Sequence, residues 1–277
     1  CKCYCTELFL EPKLEKKKRE RKRKERERIK FKNSEHQKKF EEYKKSFIRD
    51  IQETFGGDYK KFARAVRNEN ITINLGKLRE CLYSWKSSPQ SLNSLALKEK
   101  AYLMEERFAS SKVRYPLGCG ESEVKDVHYF LSEISDDDYL KLRALGQAYY
   151  EVKGTKKVKL YRGIDGKTGS KYKRLIVEEL EKSGKDKVTI ILTETNLVGC
   201  SNRYKVARSF GWRDGIIIEG SYPVEDILVP YDVWYGIMRS GYYDEYEFII
   251  AGGEKEYAFS FYNDKKVGKV IRGKIKE

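Results

Sequence analysis

Three segments in the C-terminal half carry residue types that do chemistry. In Leu160-Tyr161-Arg162-Gly163 an arginine stands near the end of an expected strand, immediately before a glycine. A guanidinium there can hold a phosphate through paired hydrogen bonds, and Gly163 can let a ligand approach the backbone. The second segment, from Gly199 to Phe210, passes from small polar residues into an amphipathic helix with Val206, Ala207 and Phe210 on its buried side. Ser201 or Asn202 is placed to cap that helix. No His or Asp is spaced to activate Ser201 or Cys200, so a nucleophile triad has little support. In the third segment, Asp244-Glu245-Tyr246-Glu247 leads into the apolar run Phe248-Ile249-Ile250. Period two puts Glu245 and Glu247 on one strand face, with carboxylates roughly 7 Å apart. Such a pair can share a cationic substrate or divide acid and base roles, the other reading being a solvated edge strand.

Together the three segments resemble the ADP-ribosyltransferase family, in the class organised around an Arg, a Ser-Thr-Ser segment and a Glu-x-Glu motif. That class includes arginine-modifying toxins, vertebrate ectoenzymes and phage or viral enzymes. The resemblance covers about residues 121–270 and implies an NAD-binding cleft between two small β-sheets. It implies that Arg162, flanked by Tyr161 and Gly163, holds the NAD phosphates. Ser201 looks like the end of the segment that shapes the nicotinamide-ribose pocket, and Glu247 like the catalytic glutamate. Glu245 looks like the residue that orients the acceptor, pointing to an exposed arginine on a protein. Tyr235, Tyr242 and Tyr243 fall where the family has its acceptor-recognition loop. One departure stands out: where the family has Ser-Thr-Ser, this chain reads Gly199-Cys200-Ser201, with Gly199 in place of the first serine. Ser201 is read as taking over the role. Thr193-Glu194-Thr195 lies too far before Val206-Ala207 to be the segment.

The chemistry that the resemblance implies also fits the residues. Cleaving the N-glycosidic bond of NAD develops positive charge on the ribose, which a carboxylate such as Glu247 stabilises without a metal or a covalent nucleophile. Glu245 can hold the acceptor guanidinium in a bidentate pair. Full deprotonation of that guanidinium is out of reach, so orientation and late proton transfer must assist attack.

The elements that must position these residues give an α+β chain: a basic helical N-terminal part, then an ADP-ribosyltransferase-like fold. We expect a basic tail or solvated helix over 1–35, a helical domain over 36–118 and the transferase-like domain over 119–277. Phe40, Tyr43, Phe47 and Ile51 recur at helical spacing until Gly56-Gly57, and a second helix carries Tyr59, Phe62, Ala63 and Val66. Further helices are expected through Leu75–Leu82, from about 94 to Phe108, and over 121–153 around a turn at Ser135-Asp136-Asp137-Asp138. After Lys156 short strands are expected at 158–161, 188–192, 215–219, 227–229, 246–250, 257–261 and 267–275. Helices are expected at 171–182 and 203–210. Regular β/α alternation and a GxGxxG are both missing, which argues against a dinucleotide-binding Rossmann unit.

The 277 residues carry 58 Lys and Arg against 43 Asp and Glu, a net charge of +15. Residues 13–30 concentrate it, with twelve Lys or Arg and four Glu. That run reads as a solvated helix, and as a candidate contact for nucleic acid. No stretch approaches the roughly 20 apolar residues of a membrane span, so no membrane partner is expected. Three of six cysteines crowd the first five residues as CxCxC, which is poor zinc spacing. Free thiols and the absence of a signal point to an intracellular or cytoplasmic protein, in a host cell or virion, with a secreted or injected toxin as the alternative. His128, beside Tyr129 and Phe130, is read as a packing or surface residue. The leading function is an NAD-dependent mono-ADP-ribosyltransferase directed at arginine. The alternative is a weak or inactive protein of the same fold with a structural (viral) or nucleic-acid-binding role.

Overall fold

The computed structural model describes residues 29–67, 74–87, 91–106, 121–212, 214–231, 233 and 247–276. Glu245, Tyr235, Tyr242, Tyr243, the three N-terminal cysteines, most of the basic run and the expected boundary near 119 lie outside the described residues.

Among the described residues six helices come first: α1 (Ser34–Phe55), α2 (Tyr59–Arg67), α3 (Lys77–Ser87), α4 (Leu92–Met104), α5 (Glu121–Glu133) and α6 (Asp136–Lys153). Their ends follow from local chemistry. Asn33 caps α1 by accepting from the Glu35 N–H at 2.8 Å, and Gly56 ends it in the left-handed region at φ 60°. Ser91 caps α4 through Ser94 N–H, and Ser135 caps α6 through Asp138 N–H. The three aspartates that read as a turn form the first turn of α6, where carboxylates suit the helix dipole. His128 is exposed on α5. No described helix is long and apolar enough to cross a membrane.

Then follow β1 (Lys157–Ile164), α7 (Gly166–Ser183), β2 (Val188–Ser201), α8 (Tyr204–Gly211), β3 (Ile216–Pro223), β4 (Ile227–Val229), β5 (Glu247–Asp264) and β6 (Gly268–Ile275). The architecture is α+β. Where two small sheets were expected, all six strands join one hydrogen-bonded sheet in the order β2-β1-β3-β6-β5-β4. A further β2–β5 pairing closes five of them into a ring. The expected strands at 246–250 and 257–261 are one 18-residue strand. The glycines between them make a bend instead of a break. Gly253 takes φ +83°, and the register slips opposite it between Glu194 and Leu197.

One apolar core runs through helices and sheet, joining Trp85, Leu95, Leu145 and Tyr149 to Tyr222, Ile227 and Ile249. A second cluster joins α7 to strands of the ring and holds Tyr172, Ile176, Ile190, Ile218 and Phe259. Helices and strands are also joined by a buried ion pair. Arg143 on α6 donates to Glu105 Oε1 at 2.8 Å and Oε2 at 3.2 Å, and to the carbonyls of Ile227 at 2.6 Å and Glu225 at 2.7 Å. The Tyr139 hydroxyl adds a 2.6 Å bond to Glu105. The backbone held this way leads into β4, which pairs with β5 at Ile249 and Ile250, just past Glu247.

Candidate active site

The strand register gathers the three segments picked out in the sequence. Tyr161 on β1 pairs with Ser201 on β2, and Ser201 pairs with Glu247 on β5. Directly opposed residues share a face, and strands lie about 4.8 Å apart, so Tyr161 and Glu247 flank Ser201 in a row about 10 Å wide. The three lie within one row although long stretches of chain separate them.

Glu247 is half-buried at the first position of β5. Its carboxylate leans diagonally onto Gly199, where a Cβ would lie 2.2 Å from Glu247 Oε1. The glycine at the departure from the Ser-Thr-Ser pattern therefore leaves the space in which this carboxylate sits. The same oxygen accepts a hydrogen bond from Trp85 Nε1 of α3 at 3.1 Å. Ser201 is buried, and its Oγ accepts from the Arg203 N–H at 3.1 Å. It braces the turn before α8, while Asn202 is exposed.

Arg162, next after Tyr161 on β1, is within electrostatic range of Cys200 on β2 and of Lys98 on α4, the lysine beside Trp85. It forms an ion pair with the buried carboxylate of Glu194. Burial opposes its charge and Glu194 outweighs it, so the guanidinium is held more firmly protonated than usual. Cys200 is within electrostatic range of Arg162, Glu194, Lys255 and Glu247. Burial pushes its thiol up to about 12, against the pull of Arg162, so it is an inert thiol and not a nucleophile. Lys255 itself donates to the carbonyls of Ala251 at 2.8 Å and Gly252 at 2.6 Å, holding the β5 bend. Gly163 is accounted for by packing: a Cβ there would lie 2.1 Å from the Ala207 carbonyl oxygen of α8.

Lys98 on α4 is buried, with its ammonium 5.2 Å from the Trp85 ring centre. Burial, helped by the charge of Arg162, brings it down to about 8. Above pH 8 the folded chain has released a proton that the unfolded chain keeps to about 10.4, so stability rises with pH in that window. Lys98→Met is expected to be more stable than the parent at pH 7.5, and the gap to close by about 2 kcal/mol at pH 9.5. Urea midpoints at the two pH values measure this, and a gap independent of pH would count against it.

Trp85, Lys98 and the partnership of Glu194 were not found from the sequence. Trp85 completes a stripe with Leu78, Cys81 and Leu82 that reads as ordinary core. The one usable signal was a lysine within the buried face of α4. Among the described residues no three or more His, Cys, Asp or Glu side chains are grouped to hold a metal.

No protein-family model matches this sequence, and no curated protein does. Several solved structures are similar. Exoenzyme S from Pseudomonas aeruginosa, described in complex with human 14-3-3 protein beta and carba-NAD, is 16% identical over 83% of this chain and 88% of that one, at a TM-score of 0.32. ADP-ribosyltransferase Vis, described with the inhibitor M6, is 14% identical over 81% and 83%, at a TM-score of 0.35. ADP-ribosyltransferase HopU1 of Pseudomonas syringae pv. Tomato DC3000 is 11% identical over 79% and 95%, at a TM-score of 0.31. Likenesses this distant leave the function to be argued from the site alone.

Proposed function

We propose that this chain is an NAD-dependent mono-ADP-ribosyltransferase directed at arginine on a protein acceptor. The observation that supports it best is the row Tyr161–Ser201–Glu247 across β1, β2 and β5, with a charged arginine one residue along. In this reading Arg162, with Tyr161 and Gly163 beside it, engages the NAD phosphates through guanidinium hydrogens that Glu194 leaves available. Ser201 shapes the floor of the nicotinamide-ribose pocket. Glu247 faces the ribose and stabilises the positive charge that develops as the glycosidic bond lengthens. The bond breaks with its electron pair leaving on neutral nicotinamide. A guanidinium nitrogen of the acceptor then bonds to the ribose carbon and gives up one proton. Glu245, two residues before Glu247, orients that guanidinium.

The test is nicotinamide release from NAD by the purified full chain, with and without agmatine, for the parent and Glu247→Gln. Removing the charge while keeping the shape is expected to lower turnover by about 100-fold or more. Agmatine is expected to stimulate the parent. Release that persists in Glu247→Gln, or a parent that neither binds NAD nor releases nicotinamide, overturns the assignment.

A further inference from the structure

The Glu247 carboxylate is fixed by two residues that no motif predicts and that lie on different elements. Gly199 leaves the volume in which it rests: a Cβ there would come to 2.2 Å of Oε1 and 3.3 Å of the carboxyl carbon. Trp85, fully buried on α3, reaches 162 positions along the chain to donate its indole N–H to that oxygen at 3.1 Å. The indole is in turn held. Its helix packs on α4, and Lys98 of α4 lies against its ring, a cation over a π face that makes the N–H a better donor. A hydrogen bond to a carboxylate is among the stronger kinds and sets direction as well as charge.

We propose that Trp85 is a positioning residue for Glu247: Gly199 opens the seat, and the indole N–H holds the carboxylate in the orientation that faces the ribose. This rests on the transferase reading for its catalytic consequence, but the pairing can be tested without it. The helical part thus supplies a component of the site, which the three C-terminal segments do not complete alone.

Two measurements on the full chain test the proposal. The first is the indole N–H resonance of Trp85, assigned by its loss in Trp85→Phe, followed through an acid titration. It is expected to move as Glu247 takes up its proton, and to lose that movement in Glu247→Gln. In Gly199→Ala the new methyl displaces the flexible end of the glutamate with no backbone atom in the way, so the same resonance should shift toward that of an unbonded indole. An indole resonance indifferent to acid and unchanged in both variants overturns the proposal whether or not the protein turns over NAD. The second is kinetic. Trp85→Phe keeps an aromatic ring at the position but removes the donor together with part of the indole's volume, and is expected to lower kcat by about tenfold to a hundredfold with KM changed less than about threefold. A carboxylate that loses a donor is easier to protonate, so the acid limb of the rate profile should move to higher pH. Unchanged kcat and acid limb in a folded Trp85→Phe overturn the positioning role. A parent inactive on NAD, with the indole titration intact, defeats the transferase reading and leaves the pairing standing.

Discussion

Arg143→Met is expected to lower the free energy of unfolding by about 3–5 kcal/mol, the largest effect expected of a single substitution in this chain. Glu105 is fully buried, and Arg143 is its cationic partner at 2.8 Å. Removing the guanidinium takes the cation away from a buried carboxylate whose desolvation costs several kcal/mol. It also removes the Arg143 bonds to the carbonyls of Glu225 and Ile227, of which Ile227 keeps a 3.5 Å bond from Gln147 Nε2. The double variant Arg143→Met with Glu105→Leu is expected to recover most of the loss, because a buried pair replaced as a unit by apolar groups of similar size is often neutral. Urea unfolding of the parent, the single and the double variant measures this. A single variant within about 1 kcal/mol of the parent would show that the ion pair is not the tie that joins α6 to β4.

Gly163→Ala is the second. A methyl at that position meets backbone, with 2.1 Å to the Ala207 carbonyl oxygen and 2.6 Å to the Gly211 nitrogen, so no side-chain rotation relieves it. Helix α8 would have to lift from β1, and a loss of about 3 kcal/mol or more is expected. Lifting α8 also disturbs the turn at its start, where Ser201 accepts the Arg203 N–H, so activity should fall as well. Gly166→Ala is the contrast. Nothing lies within 4 Å of its Cβ, but its φ of +60° strains any side chain, and about 1 kcal/mol is expected. Near-ultraviolet dichroism should register the change at Gly163 through Trp212, which ends α8 and packs beside Ala207, Ile217 and Val270. A Gly163→Ala protein with unaltered dichroism and stability would show that α8 is not seated on the glycine.

The contrast between what was legible and what was not follows from the range of the forces involved. Helices α1, α2 and α6 were legible because Phe40 and Ile51, or Tyr139, Leu142 and Tyr149, repeat at helical spacing between caps and glycines that act locally. The start of β5, which carries Glu247, was legible for the same reason; β1 was expected to stop at 161 but runs to Ile164, so Arg162 lies inside it. The continuity of β5 was not, because a Gly252-Gly253 pair in isolation breaks a strand, and only the slipped register on β2 turns it into a bend. The Trp85 bond to Glu247 and the Glu194 partnership of Arg162 were hidden for a further reason. Each joins residues far apart in the chain, and neither member differs in type from a core tryptophan or a strand glutamate. Gly199 was legible as a departure, but its meaning lay in the position of a carboxylate 48 positions later.

The single pairing Tyr161↔Ser201 is where β1 meets β2, and β2 and β5 meet beside it. The candidate site therefore lies on the closing seam of the ring. This seam needs Glu247 of β5, and the ring it closes needs the parallel β3–β6 pairing that reaches Lys274. A chain cut before β5 would lack one side of the seam and the Glu247 carboxylate with it. On the transferase reading, such a fragment would carry Arg162 and Ser201 but no carboxylate to face the ribose.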